Sequence, residues 1–542
     1  MVKKIFTISA LCLCFIVLSQ IAAAATRTVD TVSDSGSLTA CTSAANNCSL
    51  RGAISGAASG DIIDFAAFFQ TTVQTINVAT PIVVNKSLEI RGPNLTRLKL
   101  TGSGNSSVLI NFTGGTSLIG GMTLSDMTGT QPVGMLVQGS GTTVSVTGCW
   151  FRNIVGTATT GAGLLATTNS VVNLDGSVVS ENTVGFAVNN GATATLSSNY
   201  FENNFFRGIS IESTANIRYT DVVSHVGTNV RSIYVDSPSR SVIILGARIS
   251  DNSNTLGGGG ISHISGNLEI YNSTFSNNSS TRGGAIYSSS AGSLKIINST
   301  ITGSNSTNSA AVDVGVSIPV TIRNTIIAGN TGTQFPDLAG NVGTTSNNLL
   351  GIVNPAYTGF INGSGIAINN NKVGTAANPL DARLMPLDYN GGQMYSHALM
   401  SNSPAVNAGN NCVLTINGCG AGEPSLALDF DGRGTGFSRN LGGRVDIGAF
   451  ESSFAPTAAN VSVSGMVLTP EGRGLSGALV SLTDAQGNSL TTRTNAFGYY
   501  RFSGVETGSY YILSVSSKQY RFTPQLVLVM DDVTDFILFA QS

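Results

Sequence analysis

Residues 268–278 read Leu268-Glu269-Ile270-Tyr271-Asn272-Ser273-Thr274-Phe275-Ser276-Asn277-Asn278: a short aliphatic run, a polar turn, then an apolar residue with Asn three places on. The closing apolar-x-x-Asn pattern recurs as Trp150-Phe151-Arg152-Asn153, Val179-Ser180-Glu181-Asn182, Phe201-Glu202-Asn203-Asn204, Ile249-Ser250-Asp251-Asn252 and Ile327-Ala328-Gly329-Asn330. With Phe275 included, the first residues are separated by 29, 22, 48, 26 and 52 positions. Taking the two long steps as double gives one unit per roughly 25 residues, the size of a solenoid repeat. A unit with Ser in the Asn place, Ile301-Thr302-Gly303-Ser304, stands midway between two of the others.

Each unit carries a β-branched run before its Asn, among them Val171-Val172-Asn173-Leu174, Val242-Ile243-Ile244-Leu245 and Leu294-Lys295-Ile296-Ile297. These runs are short and bounded by Gly, Ser and Asn, and no helical period lies between them, so they read as strands. Three short strands per repeat predict an all-β chain built on a right-handed parallel β-helix over 81–375, with coils about 4.8 Å apart. In such a stack, an Asn at one corner of every coil bonds to its copies above and below and tolerates left-handed backbone. Asn153, Asn182, Asn204, Asn252, Asn278 and Asn330 are therefore expected to form a structural ladder, with the apolar residue of each unit filling the interior. The glycine runs 257–260 and 283–284 read as turns, since no Lys-Ser/Thr or helix follows to make a phosphate cradle.

The chain has 542 residues, only 10% of them charged, with a formal net charge of −2 and mean hydropathy +0.20. No Lys/Arg stripe with interleaved aromatics is present, which argues against a nucleic-acid partner. Lys3-Lys4, the apolar stretch 5–21 and Ala22-Ala23-Ala24-Ala25 predict a signal peptide over 1–25, cleaved after Ala24 or Ala25. The mature chain is then exported, to the medium or the cell surface, and has no other stretch of transmembrane length. In an oxidising compartment, Cys41/Cys48 and Cys412/Cys419 read as two local disulfides, because no His or third Cys beside either pair supports a metal site. Cys149 reads as a buried small hydrophobe. No cofactor, metal or catalytic residue is expected.

The ends of the helix need covering, because open sheet edges and apolar interior would otherwise face water. Leu50, Ala53, Ile54 and Ala57 have helical spacing, so a short helix is expected to plug the first coil. The stretch Cys48-Ser49-Leu50-Arg51-Gly52-Ala53-Ile54 resembles the CSLREA domain of bacterial secreted β-helix proteins, departing at Gly52, where that motif has Glu; the resemblance implies a cap over 26–80. The Phe-x-x-Asn and Gly-Gly-Ala-Ile elements resemble the short repeats of polymorphic outer-membrane proteins. Asn347-Asn348-Leu349-Leu350-Gly351, Ser403-Pro404-Ala405-Val406-Asn407-Ala408-Gly409, Asp429-Phe430-Asp431-Gly432-Arg433-Gly434 and Val445-Asp446-Ile447-Gly448-Ala449-Phe450-Glu451 together resemble the choice-of-anchor Q domain of bacterial surface proteins. That resemblance implies a C-terminal region of the helix over 376–455, whose Arg433, Arg439, Asp446 and Glu451 read as a charge-paired closing structure. Beyond Ala455-Pro456-Thr457, strands of five to eight residues alternate with turns and predict a small β-sandwich over 456–542. Its Gly498-Tyr499-Tyr500-Arg501-Phe502 and Gly508-Ser509-Tyr510 elements resemble the carboxypeptidase regulatory-like, prealbumin-type domain.

Parallel β-helices include enzymes that cleave or epimerise acidic polysaccharides, so catalysis is the rival to binding. Glu181 and Asp251 share one place in the repeat but lie three coils apart, roughly 14 Å, beyond the ~5–9.5 Å of paired glycosidase carboxylates. Glu202 is one position earlier in its unit, so the pleat turns it the other way. His225, His263 and His397 have no acidic partner in register. The expectation is a monomeric, secreted or surface-bound bacterial protein with a non-catalytic binding, adhesin-like or structural role. Its expected partner is an extracellular polysaccharide or cell-surface glycan. The alternative is a lyase, hydrolase or epimerase acting on an acidic polysaccharide.

Overall fold

The computed structural model describes residues 24–541 apart from 103–106, 158–160, 290, 316–317, 333–334, 357–358, 362–366, 442, 454–460, 485–486, 506–508 and 530–531. The expected signal peptide thus lies outside the described residues except for its last two positions. The expected boundary at Ala455-Pro456-Thr457 and the glycine at 508 lie outside them too.

Among the described residues the chain from Thr26 to Val373 winds into a parallel β-solenoid. Two strands of each coil join a 22-stranded sheet, and the third joins a 13-stranded sheet. The alternation in the sequence sets the faces. In Val171–Asp175 and Thr193–Ser197 the second and fourth residues point inward and are buried, while their neighbours face out. Because neighbouring coils pair in register, each inward residue lands on its counterpart. Phe151 lies over Val179, Val179 over Phe201, Phe201 over Val222, and so on through Ile249, Phe275, Ile301 and Ile327 to Leu350. One continuous apolar core results.

At the N-terminal end, Thr26–Val29 pairs with Ile62–Phe65, and the helix Leu50–Gly56 packs on both. Ser49 caps that helix, its hydroxyl accepting from the Gly52 N–H at 2.9 Å. Leu50, Ala53 and Ile54 join the core, so the helix covers the apolar interior at this end. A Cβ on Gly52 would lie 2.0 Å from the Leu38 carbonyl oxygen, which explains why no larger residue stands there. The Cys41–Cys48 disulfide, 2.06 Å between sulfurs, closes the loop leading into the helix.

Residues 376–453 do not close the far end of the stack. They run back along its side, over the edge of the 13-stranded sheet. Asn347 Nδ2 donates to the Ala408 carbonyl at 2.9 Å, Asn324 Nδ2 to Asn410 at 3.0 Å, and Asn272 Nδ2 to Phe430 at 2.7 Å. This flap covers outward apolar residues that the coils would otherwise expose. Ile326 and Leu349 pack with Ala405 and Ile447, and Tyr271 and Ile297 with Val413, Leu428 and Val445. The Cys412–Cys419 disulfide, at 1.96 Å, lies within it.

The C-terminal unit has a three-stranded sheet (Tyr499–Val505, Val461–Leu468, Val533–Phe539) and a four-stranded sheet (Ser489–Arg493, Leu479–Thr483, Ser509–Ser516, Gln525–Val529) around a separate core. Tyr500 and Phe502 of the Gly-x-Tyr-x-Phe element are buried in that core, edge to face at 6.0 Å, with the Tyr500 hydroxyl donating to the Phe536 carbonyl.

Candidate functional site

The short third strand of each coil is flanked by two sharp corners, and both are built alike. A residue in the left-handed region makes the bend, and in most coils a buried polar residue follows. At the second corner the left-handed places are Glu181, Asn203, Ser224, Asp251 and Asn277, with φ of 58°, 49°, 56°, 58° and 54°. The residues after them are Asn182, Asn204, His225, Asn252 and Asn278, all buried. Asn182 shows what the place requires: its Oδ1 accepts from the Ile154 N–H at 3.1 Å, and its Nδ2 donates to the Phe151 carbonyl at 3.1 Å. A side-chain amide thus pairs one N–H and one C=O that the corner of the preceding coil cannot satisfy within the sheet. Asn204, Asn252 and Asn278 donate likewise to Val179, Val222 and Ile249. Asn330 donates to Ile301 and to Asp337 Oδ1 at 2.8 Å.

Asn153 departs from the expected ladder. Since Phe151, not Trp150, pairs with Val179, the ladder place in that coil falls on Ile154. Asn153 takes the left-handed corner instead, at φ 51°, and donates to Asp126 Oδ1 at 2.8 Å. Trp150 faces outward and donates to Ser180 Oγ. The coil counted only as half of the 48-residue step is Val222-Val223-Ser224-His225, with His225 standing in for Asn.

A second buried polar column at the first corner is absent from the apolar-x-x-Asn reading. It holds Cys149, Ser177, Asn199, Thr220, Ser273, Ser299, Thr325, Asn348 and Asn371. Ser177 Oγ accepts from the Cys149 N–H, Asn199 Oδ1 from the Ser177 N–H, and Asn371 Oδ1 from the Asn348 N–H. The signal is a Ser, Thr or Asn two places before the apolar residue in most units, with Cys149 and Ala247 the exceptions. Cys149 belongs to this column, and burial pushes its thiol up to about 12.

The flap's charged residues form a sealed cluster. Asp431, Asp446, Glu451 and Arg439 are each no more than 1% exposed. Asp431 binds Arg433 at 2.7 Å, and Arg433 stacks on Phe437 and Phe450. Arg439 donates to the Gly448 and Ala449 carbonyls. Asp446 accepts from the Asn407 and Ser452 N–H groups, and Glu451 from the Asp446 N–H. Burial, and then the neighbouring Asp446 charge, push Glu451 up to about 8, against the opposing pull of Arg439. With its donors and acceptors turned on one another, the cluster holds the flap together. Among the described residues, no group of three or more His, Cys, Asp or Glu is placed to hold a metal.

An open cleft lies where the flap segment 389–395 meets the outer face of the 13-stranded sheet. It encloses about 400 Å³ and is lined by Tyr200, Tyr219, Asp221, Tyr389, Gln393 and Met394 among others. Register places Tyr200 over Asp221 and Asp221 over Arg248. Arg248 Nε holds Asp221 at 2.6 Å, and its guanidinium stacks 4.5 Å from the Tyr395 ring. Tyr395 in turn meets Tyr389 edge to face at 5.9 Å. Tyr389 is 56% and Tyr395 39% exposed.

Tyr219 is the unusual member. It occupies the left-handed place of the first corner at φ 44°, where other coils have Gly148, Gly176, Ser198, Gly246, Asn272 and Asn298. A bulky residue there costs of order 1–2 kcal/mol. Its ring lies against Gly246, where an added Cβ would come within 2.7 Å of it. Tyr219 is thus an aromatic in a strained corner, packed between Gly246 and Gly434 and lining the cleft with Tyr200 and Tyr389.

Residues 462–536 match the model of the carboxypeptidase regulatory-like domain. The C-terminal unit is such a domain. No curated protein matches the chain. Among solved structures, the enzymatically active domain of tailspike protein 2 of bacteriophage CBA120 is 12% identical. The alignment covers 84% of this chain and 70% of that one, at a TM-score of 0.30. The full-length tailspike protein 2 of an Escherichia coli O157:H7 bacteriophage is 13% identical over 84% of this chain and 62% of its own length, again at 0.30. Superpositions of that quality carry nothing about activity.

Proposed function

We propose that this is an extracellular bacterial surface protein that holds a glycan in the Tyr200–Tyr219–Tyr389 cleft without cleaving it. The observation that carries this reading is Tyr219, an aromatic ring kept in a left-handed corner at a cost in stability. Sugar rings present apolar C–H faces that lie on aromatic side chains, and hydroxyl edges that take polar partners. The cleft offers both, with tyrosine rings on its walls and Gln393 and the Asp221–Arg248 pair beside them. Asp221 is engaged by Arg248, which suits it to receive hydroxyl groups more than to transfer protons. Export fits the two disulfides and the N-terminal sequence, and the resemblances to the CSLREA and choice-of-anchor Q domains point to the bacterial surface.

The test is retention of the mature protein on immobilised neutral and acidic polysaccharides, with Tyr389→Ala and Tyr219→Asn alongside. Retention of the wild type, reduced about tenfold or more in both variants, supports the reading, taking a sugar face on a ring at the order of base–aromatic stacking, about 1–3 kcal/mol. Equal retention of all three proteins would reject the cleft.

A further inference from the structure

A different surface holds a trough of its own. On the 22-stranded sheet, away from the cleft, a half-open trough of about 550 Å³ runs across successive coils. Its floor includes Leu136, Leu165 and Ala187, which pair in register and continue to Ser210 and Tyr234. The trough stops at Arg207 and Glu212. In the next coil Arg231 lies directly under Arg207, one strand spacing or about 4.8 Å away along the stack.

The two guanidinium groups share one ring, with Arg207 3.8 Å and Arg231 5.0 Å from the Tyr234 centroid. Their carboxylate partners are unequal. Arg207 binds Glu212 at 3.1 Å and Ser210 Oγ at 2.8 Å, while its Nε is buried without an acceptor. The remaining acid nearby, Asp236, accepts from the Tyr234 and Ser265 hydroxyls. Arg231 has no ion pair or side-chain hydrogen bond among the described residues. Two cations held one coil apart repel each other, and one carboxylate does not answer both. Burial, then the neighbouring Arg207 charge, lower the Arg231 pKa, in line with this imbalance.

We infer that the trough binds an acidic polysaccharide, its sugar rings lying on Leu136, Leu165 and Ala187 and a uronic-acid carboxylate received by Arg231 beside Arg207. Planar guanidinium donors suit a carboxylate, and the apolar floor suits the ring faces of an extended polymer. A neutral glycan would leave Arg231 unanswered, so the site selects for charge. The inference does not rest on the tyrosine cleft, which uses other residues on another sheet.

Affinity electrophoresis of the full-length mature protein tests it, in gels containing polygalacturonate or its methyl ester. The wild type is expected to be retarded by polygalacturonate and much less by the ester, with retardation falling as salt is added. Arg231→Gln should weaken retardation about tenfold, the worth of one charge-assisted hydrogen bond, and Arg231→Lys should recover part of it. Tyr389→Ala should leave it unchanged, which separates this site from the cleft. Melting curves establish that each variant is folded. The inference is overturned if polygalacturonate does not retard the wild type, if the ester retards it equally, or if Arg231→Gln stays within twofold of wild type.

Discussion

Asn204 donates its side-chain amide to His225 Nε2 at 3.1 Å, and on the other side of the ring His225 Nδ1 meets Asn252 Oδ1 at 3.2 Å. Both amides are oriented by their other bonds: Asn204 Nδ2 also donates to Val179, and Asn252 Oδ1 also accepts from the His225 N–H at 3.0 Å. The imidazole must therefore carry its proton on Nδ1 and accept at Nε2, the neutral form. In that form a His bridges two coils as Asn does elsewhere in the column.

A pH dependence follows. Burial lowers the His225 pKa to about 4, from 6.5. The unfolded chain binds a proton between those values that the folded chain refuses, so stability is lost as pH falls from about 6.5 towards 4. The loss approaches about 3 kcal/mol at the lower end, at 1.36 kcal/mol per unit. Urea unfolding at pH 7 and pH 4.5 should show it, and His225→Asn should reduce the slope while keeping the fold, the remainder coming from His263 and His397, also lowered by burial. An unchanged slope in the variant would place the titration elsewhere.

Glu451 acts with the opposite sign. Its pKa is raised from 4.5 to about 8, so the folded chain keeps a proton that the unfolded chain releases. Stability contributed by the protonated acid is present at low pH and is lost as pH rises through 8. Asp337, raised by burial to about 6, adds in the same direction over a lower range. Glu451→Gln should melt higher than wild type at pH 9 and close to it at pH 5. A variant less stable than wild type at pH 9 would mean that the fold stabilises the ionised carboxylate and that its pKa is not raised.

Cys149 and Phe151 sit two residues apart and should respond very differently. Ser177, Ser273 and Ser299 occupy the place of Cys149 in other coils. Cys149→Ser should therefore change unfolding free energy by about 1 kcal/mol or less, no more than the centre of the range for point substitutions. Phe151→Ala, which empties the middle of the stack, should cost about 3–5 kcal/mol. Denaturant unfolding of the two variants compares them directly.

Tyr219→Asn separates binding from folding. Asn is accepted in the same left-handed place at Asn272, Asn298 and Asn324. Relief of about 1–2 kcal/mol of backbone strain should offset the lost ring packing, leaving the melting temperature near that of wild type. Glycan retention should fall. A variant that melts much lower would show that the ring is there for packing.

The coil was legible in the sequence because stacking forces one residue type to recur: Phe275, Ile301 and Ile327 follow one another by position and by contact. Register was legible only where the apolar residue is unambiguous. At Trp150-Phe151 two aromatics adjoin, the pattern fits either, and the expected ladder slipped by one onto Asn153. His225 escaped because the pattern asked for Asn, although a neutral imidazole still links the side-chain amides of the coils before and after it. The cleft was not legible. Tyr200 and Tyr219 are separated from Tyr389 and Tyr395 by well over a hundred residues. Nothing local indicates that the flap returns along the stack instead of closing its end. What could have been noticed is Tyr219 itself, an aromatic where other units place Gly, Ser or Asn.

The central claim is that the tyrosine cleft holds a glycan and does not cut it. The most direct measurement is prolonged incubation of the wild-type protein with a polysaccharide that it retains, assayed for new reducing and unsaturated ends. The account predicts stable retention, lost in Tyr219→Asn, with no new ends above those of the polymer alone. Time-dependent new ends that disappear in Tyr219→Asn would contradict it and make the cleft an active site.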